Sequence, residues 1–254
     1  MTITSPSSPN SPSSPNSPNS PTAIPPAGAA PAPSRIGHAL VVGAAGFAWS
    51  SLALGLATVG AMNAAGSSMI LSGTFFYGGL VQIVAGFFAL AAGATFAGAF
   101  LTSYGAFWLG YTAIQVYVAP HIVSSVMASG AGTGASAQAL QAQAGHAVVQ
   151  ALGMFLIAWL VITLIFMVAS LGTNAVTTLA FGLLTATIVL LMIAYLGASS
   201  AGAPVSAALH AAGWVEIVLA GVAFYIVLAE LANETLRRQL FPLFPFHRAA
   251  VQPV

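Results

Sequence analysis

Among its 254 residues the chain has no cysteine, no lysine and no aspartate. The missing thiols exclude disulfides, thiolate metal sites and cysteine nucleophiles. Only seven residues carry formal charge: Arg35, Glu216, Glu230, Glu234, Arg237, Arg238 and Arg248. A net charge of +1 gives no basic patch, so no nucleic-acid partner is expected. Charged residues make up 3% of the chain, against about 25% in soluble domains. None lies between Arg35 and Glu216. A water-facing surface cannot be built from such a segment, so its solvent is lipid.

What is present is hydrophobic, at 58% of residues. Apolar runs at 38–60, 69–91, 95–119, 147–170, 174–196 and 206–231 are each longer than the roughly 20 residues that cross a bilayer core as a helix. Backbone polar groups in lipid must be satisfied internally, and the period-two alternation of a membrane barrel is missing. The expected fold class is an all-α membrane protein, a bundle of six transmembrane helices over 35–240 with a short C-terminal tail at 241–254. Residues 1–34, built of Pro/Ser/Asn repeats and a Pro/Ala stretch, read as a disordered tail rather than a signal peptide.

Basic residues flank the spans at Arg35 and at Arg237, Arg238 and Arg248. Six spans put both termini on one side, and the positive-inside bias makes that side cytoplasmic. The expected location is a plasma (inner) membrane. Loops at 61–68, 120–146 and 197–205 then face outward, and turns at 92–94 and 171–173 face inward. The Gly/Ser/Ala/Gln-rich 120–146 stretch reads as a connection whose second half forms a short surface helix. Small residues at four-residue spacing, as in Ala85, Ala89, Gly93 and Ala97 or Ser51 and Gly55, point to close helix packing within one bundle.

An intramembrane ionisable residue marks a functional position. Here that is Glu216, inside the last span, with His210 nearby as a second candidate for a proton-linked role. The competing reading places both at the outer interface. His38, His121, His146 and His247 show no spacing that converges on a metal. Neither a metal site nor a cofactor is expected. Glu234 with Arg237 and Arg238 pairs opposite charges across one helical turn, as at a solvated helix end. The hydroxyls and amides of Gln82, Thr95, Thr102, Ser103, Tyr104, Asn174, Thr177, Thr178 and Thr185 fit a polar pathway and interhelical glue equally well.

Residues 75–108 carry the most specific signal. FYGGLVQIVAG (76–86) and GATFAGAFLTSYGAFW (93–108), together with HAAGW (210–214) and AELANE (229–234), resemble the acetate uptake transporter family. That family includes bacterial succinate–acetate permeases and fungal acetate carriers. The resemblance implies a six-helix protomer assembled as a homo-hexamer, with a pathway in each subunit for acetate and related monocarboxylates, sometimes succinate, as channel or proton symport. It implies a narrow constriction of Phe47, Tyr104 and Leu184, with Gln82, Thr102 and Ser103 near the solute. The expected partners are a small carboxylate solute, membrane lipid and copies of the chain.

The chain also departs from the family. The family's NPAPLGL entry is here HALVVGA (38–44), its charged turn between the second and third helices is ALAAGA (89–94), and Glu216 replaces a small residue. The competing classes are a transporter of another small polar solute and a non-transporting scaffold or sensor. No nucleophile–base pair is visible, so an enzyme is not expected.

Overall fold

The structure is a computed structural model that describes residues 38–246. The expected tail at 1–34 and the last residues, 247–254, lie outside the described residues, as does His247. The described residues form six long helices: α1 (Ala39–Thr58), α2 (Ile70–Ala91), α3 (95–130), α4 (Ala137–Ser170), α5 (Ala175–Leu196) and α6 (Ser206–Leu236). A single helical turn, Ala64–Ser67, lies between α1 and α2. Among the described residues the sole extended pairing is an isolated bridge between Asn174 and Pro245.

Five of these helices, α1, α2, α4, α5 and α6, are long and apolar enough to cross a membrane. The first part of α3, Thr95–Ala113, is 19 residues long. Its Thr, Ser, Tyr, Trp and Gly residues dilute its hydropathy, and Gly98, Tyr104, Gly105, Trp108 and Thr112 among them are buried in the bundle. Large apolar side chains elsewhere stand outward, including Phe76, Phe87, Ile165 and Val168, each more than 60% exposed. Lipid replaces water against such a surface.

Helix boundaries follow local chemistry. Gly93, at φ +80°, turns the chain between α2 and α3, a left-handed conformation that glycine adopts without steric cost. Asn174 caps α5, its side chain accepting from the Thr177 N–H at 2.8 Å, and Ser136 caps α4 through the Ala139 N–H at 3.2 Å. Each cap satisfies a donor that the first helical turn leaves free.

The 120–146 stretch is mostly helical, which corrects its reading as a connection. α3 passes through a wide π-type turn at Ile114–Val118 and continues as Ala119–Gly130. Pro120 has no N–H to give the carbonyl four residues back, and the wide turn falls just ahead of it. Residues 137–146 are not a separate surface helix but the opening turns of α4. Alanine, the strongest helix former, dominates this stretch. The true connection is 131–136, where Gly132 and Gly134 take positive φ. The turns at 92–94, 171–173 and 197–205 fall where the sequence placed them, the second running on to Asn174.

Close backbone approach builds the α1–α2–α3 core. A Cβ on Gly105 would lie 2.9 Å from the Gly79 carbonyl oxygen and 2.5 Å from the Ile83 side chain. A second wide turn, Thr74–Val81, covers the YGG segment, and Thr74 and Thr112 join α2 to α3 through their hydroxyls at 3.0 Å. On the other side α1 crosses α6, where Gly55 faces the Gly213 carbonyl and Ile217. The small residues at four-residue spacing are thus used inside one chain, with Ala85 and Ala89 buried beside Leu101.

After α6 the chain folds back across the bundle end. The Asn233 side chain accepts from the Leu240 and Phe241 N–H groups at 2.8 and 3.1 Å and donates to the Phe241 carbonyl at 2.8 Å. Tyr225 donates to the Pro242 carbonyl at 2.8 Å. Ala175 and Phe246 then close the Asn174–Pro245 bridge through backbone bonds to Phe244 and Thr173.

Candidate functional site: two cavities in line through the bundle

An aromatic column runs along one face of α3. Phe96, Phe100, Tyr104 and Trp108 recur every four residues, so they stack on a single side of the helix. Phe47 on α1 contacts three of them, with ring centroids 5.4 Å from Phe100, 5.5 Å from Tyr104 and 6.4 Å from Trp108. Trp159 and Phe166 on α4 and Phe181 on α5 complete the packing. The Tyr104 hydroxyl pairs with the Thr163 hydroxyl at 2.5 Å, and Thr163 also donates to the Trp159 carbonyl at 2.6 Å. Tyr104 is therefore held at both its ring and its hydroxyl.

Two cavities lie on either side of Phe47. The larger, of about 130 Å³, opens at the bundle end that holds both termini of the described chain. Leu40, Ala44, Phe96, Phe100 and Phe181 make its walls, and Thr173, Asn174, Thr177 and Glu230 supply its polar groups. Glu230 also lies 3.4 Å from the His38 ring. The smaller chamber, of about 20 Å³, lies deeper in the bundle among buried residues. Its lining includes Phe47, Tyr104, Leu184, Ser51, Thr187, Trp108 and Glu216.

The linings show that the two spaces share one axis. α1 contributes Leu40 and Ala44 to the first and Ser51 and Leu54 to the second, with Phe47 in both. α3 contributes Phe96 and Phe100, then Tyr104, Phe107 and Trp108. α5 and α6 do the same, from Thr177 to Leu184 and Thr187, and from Glu230 back to Glu216. Fourteen helical residues separate Leu40 from Leu54, roughly 21 Å at 1.5 Å per residue. Phe47 is the partition between them.

The structure brings Phe47, Tyr104, Leu184 and Glu216 together at the chamber. Gln82, Thr102, Ser103 and His210 do not line either cavity. Gln82 is fully buried on α2, with neither amide atom hydrogen-bonded. Thr102 donates to the Gly98 carbonyl of its own helix at 2.8 Å and presses against Gly86 of α2. His210 is exposed, while Glu216 is 3% exposed. Six residues apart on one helix, they point about 120° away from each other, and the interface reading fits the histidine alone.

The whole aligned body of the chain can now be placed. Residues 22–247 match the family described as GPR1/FUN34/yaaH. The chain belongs to that family. It is 28% identical over 214 residues to the succinate-acetate/proton symporter SatP of Escherichia coli, covering 84% of this chain and 98% of SatP. It is 27% identical over 207 residues to acetate permease A of Emericella nidulans, covering 81% of this chain but 65% of that longer protein. A solved structure of the bacterial acetate channel SatP superposes with a TM-score of 0.62 at 30% identity, covering 81% of this chain and 98% of the other.

For this family member, three chamber residues with polar side-chain atoms were not singled out as site candidates from sequence: Ser51, Trp108 and Thr187. Ser51 drew notice as a small packing residue, and Trp108 only as part of a motif. The usable signal was helical spacing. Each lies three or four residues beyond a constriction residue (Phe47 to Ser51, Tyr104 to Trp108, Leu184 to Thr187), one turn further along the same face.

Proposed function

We propose that the protein passes acetate and related short-chain monocarboxylates, with succinate as a larger candidate, across a plasma (inner) membrane along the axis of its two cavities. In this reading α3 joins the five apolar helices as a sixth span, 35–240 forms the transmembrane domain, and both termini are cytoplasmic. The protomers associate as a homo-hexamer with one path each. The 130 Å³ cavity is then the cytoplasmic vestibule, and Phe47, Tyr104 and Leu184 form the constriction.

The observation that carries this reading is the pair of in-line cavities divided by Phe47. The names of the relatives, acetate permease and succinate-acetate/proton symporter, supply the solute class. The lining explains why passage would be channel-like rather than tight. It offers ring faces, hydroxyls, the Asn174 amide and the carboxyls of Glu216 and Glu230 but no cation, so a solute carboxyl group finds hydrogen bonds without an ion pair. Gln82, Thr102 and Ser103 then act on the path through the α2–α3 packing rather than by touching solute.

The test is protein-dependent uptake of radiolabelled acetate into vesicles holding the full-length protein, compared with empty vesicles. Uptake that Tyr104→Ala changes severalfold is the expected result. No protein-dependent uptake at any pH from 5 to 8 overturns the assignment.

A further inference from the structure

Threonine hydroxyls along these helices are commonly spent on their own backbone. Thr102, Thr163 and Thr185 each donate to the carbonyl four residues back, at 2.8, 2.6 and 2.8 Å, which is how such a side chain satisfies itself in a helix. Ser51 and Thr187 break this pattern. Their hydroxyl oxygens are buried without a partner, and both residues line the chamber beside Phe47. Glu216 lines the same chamber, and its Oε2 is likewise unpartnered. Each of the three residues is at most 3% exposed. Buried polar groups are ordinarily satisfied, and an unmet one carries a desolvation penalty. Here three oxygens from α1, α5 and α6 share a space of about 20 Å³, which is room for a single water-sized particle.

The chemistry of the three oxygens narrows what that particle is. Two hydroxyls and a carboxyl group present lone pairs, and all-oxygen sites suit hard cations. One carboxylate balances one positive charge, so a monovalent ion leaves the interior neutral, whereas a divalent ion would bury a surplus charge. Divalent ions also take about six or more oxygen ligands, more than these side chains supply. The protein provides no counter-charge of its own: among the described residues no Arg or His forms an ion pair with Glu216, and His38 pairs with Glu230 and Glu234 instead.

The rest of the lining favours the same charge. Phe47, Tyr104, Phe107 and Trp108 wall the chamber, and aromatic ring faces attract cations through their quadrupoles. The Trp108 indole N–H can only donate, so its partner is an oxygen lone pair and not the ion. Among the described residues no three of His, Cys, Asp and Glu gather as a metal-ligand group. A site of two hydroxyls and one carboxylate from three distant segments leaves no such spacing in the sequence.

We propose that Ser51 Oγ, Thr187 Oγ1 and the Glu216 carboxylate bind one small monovalent cation, of sodium's size, in the chamber. This goes beyond the solute reading above and does not depend on it. On binding, the O–H bond of the neutral carboxyl breaks, the proton leaves to water and the cation takes its place, so the buried charge is unchanged. The bound ion ties α1, α5 and α6 together at the level of Phe47.

The experiment measures binding of radiolabelled sodium by scintillation proximity on full-length protein in detergent micelles at pH 8, with choline holding the ionic strength. Native protein is expected to bind saturably, and sodium in place of choline to raise its melting temperature, since a ligand that binds only the folded state stabilises it. Glu216→Gln keeps the shape, removes the charge and is expected to abolish both effects. Thr187→Val and Ser51→Ala each remove one neutral ligand and are expected to weaken binding roughly tenfold, while Thr187→Ser, which keeps the oxygen, restores it. These variants carry the test if the Gln variant does not assemble. Glu234→Gln, at the exposed bundle end, is expected to bind as the native protein does. No saturable sodium binding by native protein, or binding that Glu216→Gln, Thr187→Val and Ser51→Ala leave unchanged, overturns the proposal. Acetate uptake by the same preparation, measured separately, decides the transport reading whichever way the sodium result falls.

Discussion

Phe47 stands edge-on to Tyr104, with ring centroids 5.5 Å apart and planes at 90°, and this pair closes the bundle between its two cavities. Edge-to-face rings attract through their quadrupoles, so the closure is an energetically favoured arrangement, not merely a narrow place. Phe100 adds a second contact to Phe47 at 5.4 Å. In the proposed path, opening means parting these rings.

Phe47→Ala should therefore join the cavities. Lowering a barrier by about 1.4 kcal/mol is a tenfold rate increase, and a gain of roughly that size is expected for propionate and butyrate relative to acetate. Competition in the vesicle uptake assay measures it. Truncating a buried Phe also costs about 3–5 kcal/mol in packed cores, so a lower melting temperature in detergent should accompany the faster flux.

Tyr104→Phe leaves the aromatic packing in place and removes a single hydroxyl pair. Thr163 keeps its 2.6 Å bond to the Trp159 carbonyl, so its own hydroxyl is not stranded. A loss of about 0.6–1 kcal/mol is expected, in line with interhelical hydrogen bonds in membranes. A double-mutant cycle with Thr163→Val, read by reversible unfolding in mixed micelles, should show the coupling vanish when either partner is gone.

Glycine substitutions should separate packed from open positions. Gly105→Leu drives a side chain into the Gly79 carbonyl and Ile83, so α2 and α3 must part, and recovery of folded protein after solubilisation should collapse. At Gly221 nothing lies within 4 Å of an added Cβ. Gly221→Ala should fold normally and gain up to about 1 kcal/mol from helix propensity. Size-exclusion profiles and melting curves of the two variants check this contrast.

Asn233→Ala removes all three side-chain bonds that hold Leu240 and Phe241. At a net value of about 1 kcal/mol per bond, the returning segment should loosen strongly while the bundle stays folded. Hydrogen exchange in 238–246 should rise by one to two orders of magnitude, with little change in α1 or α5.

Much of this protein is written in its sequence. A chain with no charge between Arg35 and Glu216 has only lipid to face, and lipid permits helices whose lengths follow the bilayer. The turn at Gly93 and the starts of α2, α3, α5 and α6 were legible for that reason, as was the grouping of Phe47, Tyr104 and Leu184 through family resemblance. The 120–146 region was misread because its Ala/Gln-rich turns are too polar for a span and yet are strong helix formers. Outside the lipid core, helix propensity rather than hydropathy sets where α3 and α4 end.

The tertiary structure alone decided what faces what. In a helix that is apolar on every side, hydrophobic periodicity does not mark the inward face, so nothing in the sequence set Ser51, Trp108 and Thr187 apart as a group, while Gln82 read as a pathway residue. Their roles depend on helix rotations set by close glycine contacts such as Gly105 on Gly79 and Gly55 on Gly213. Those contacts turn four polar atoms from four helices into one chamber and leave Gln82 out of its lining. Membrane residence, helices and family are properties of the chain in order. The chamber is a property of how the helices are turned.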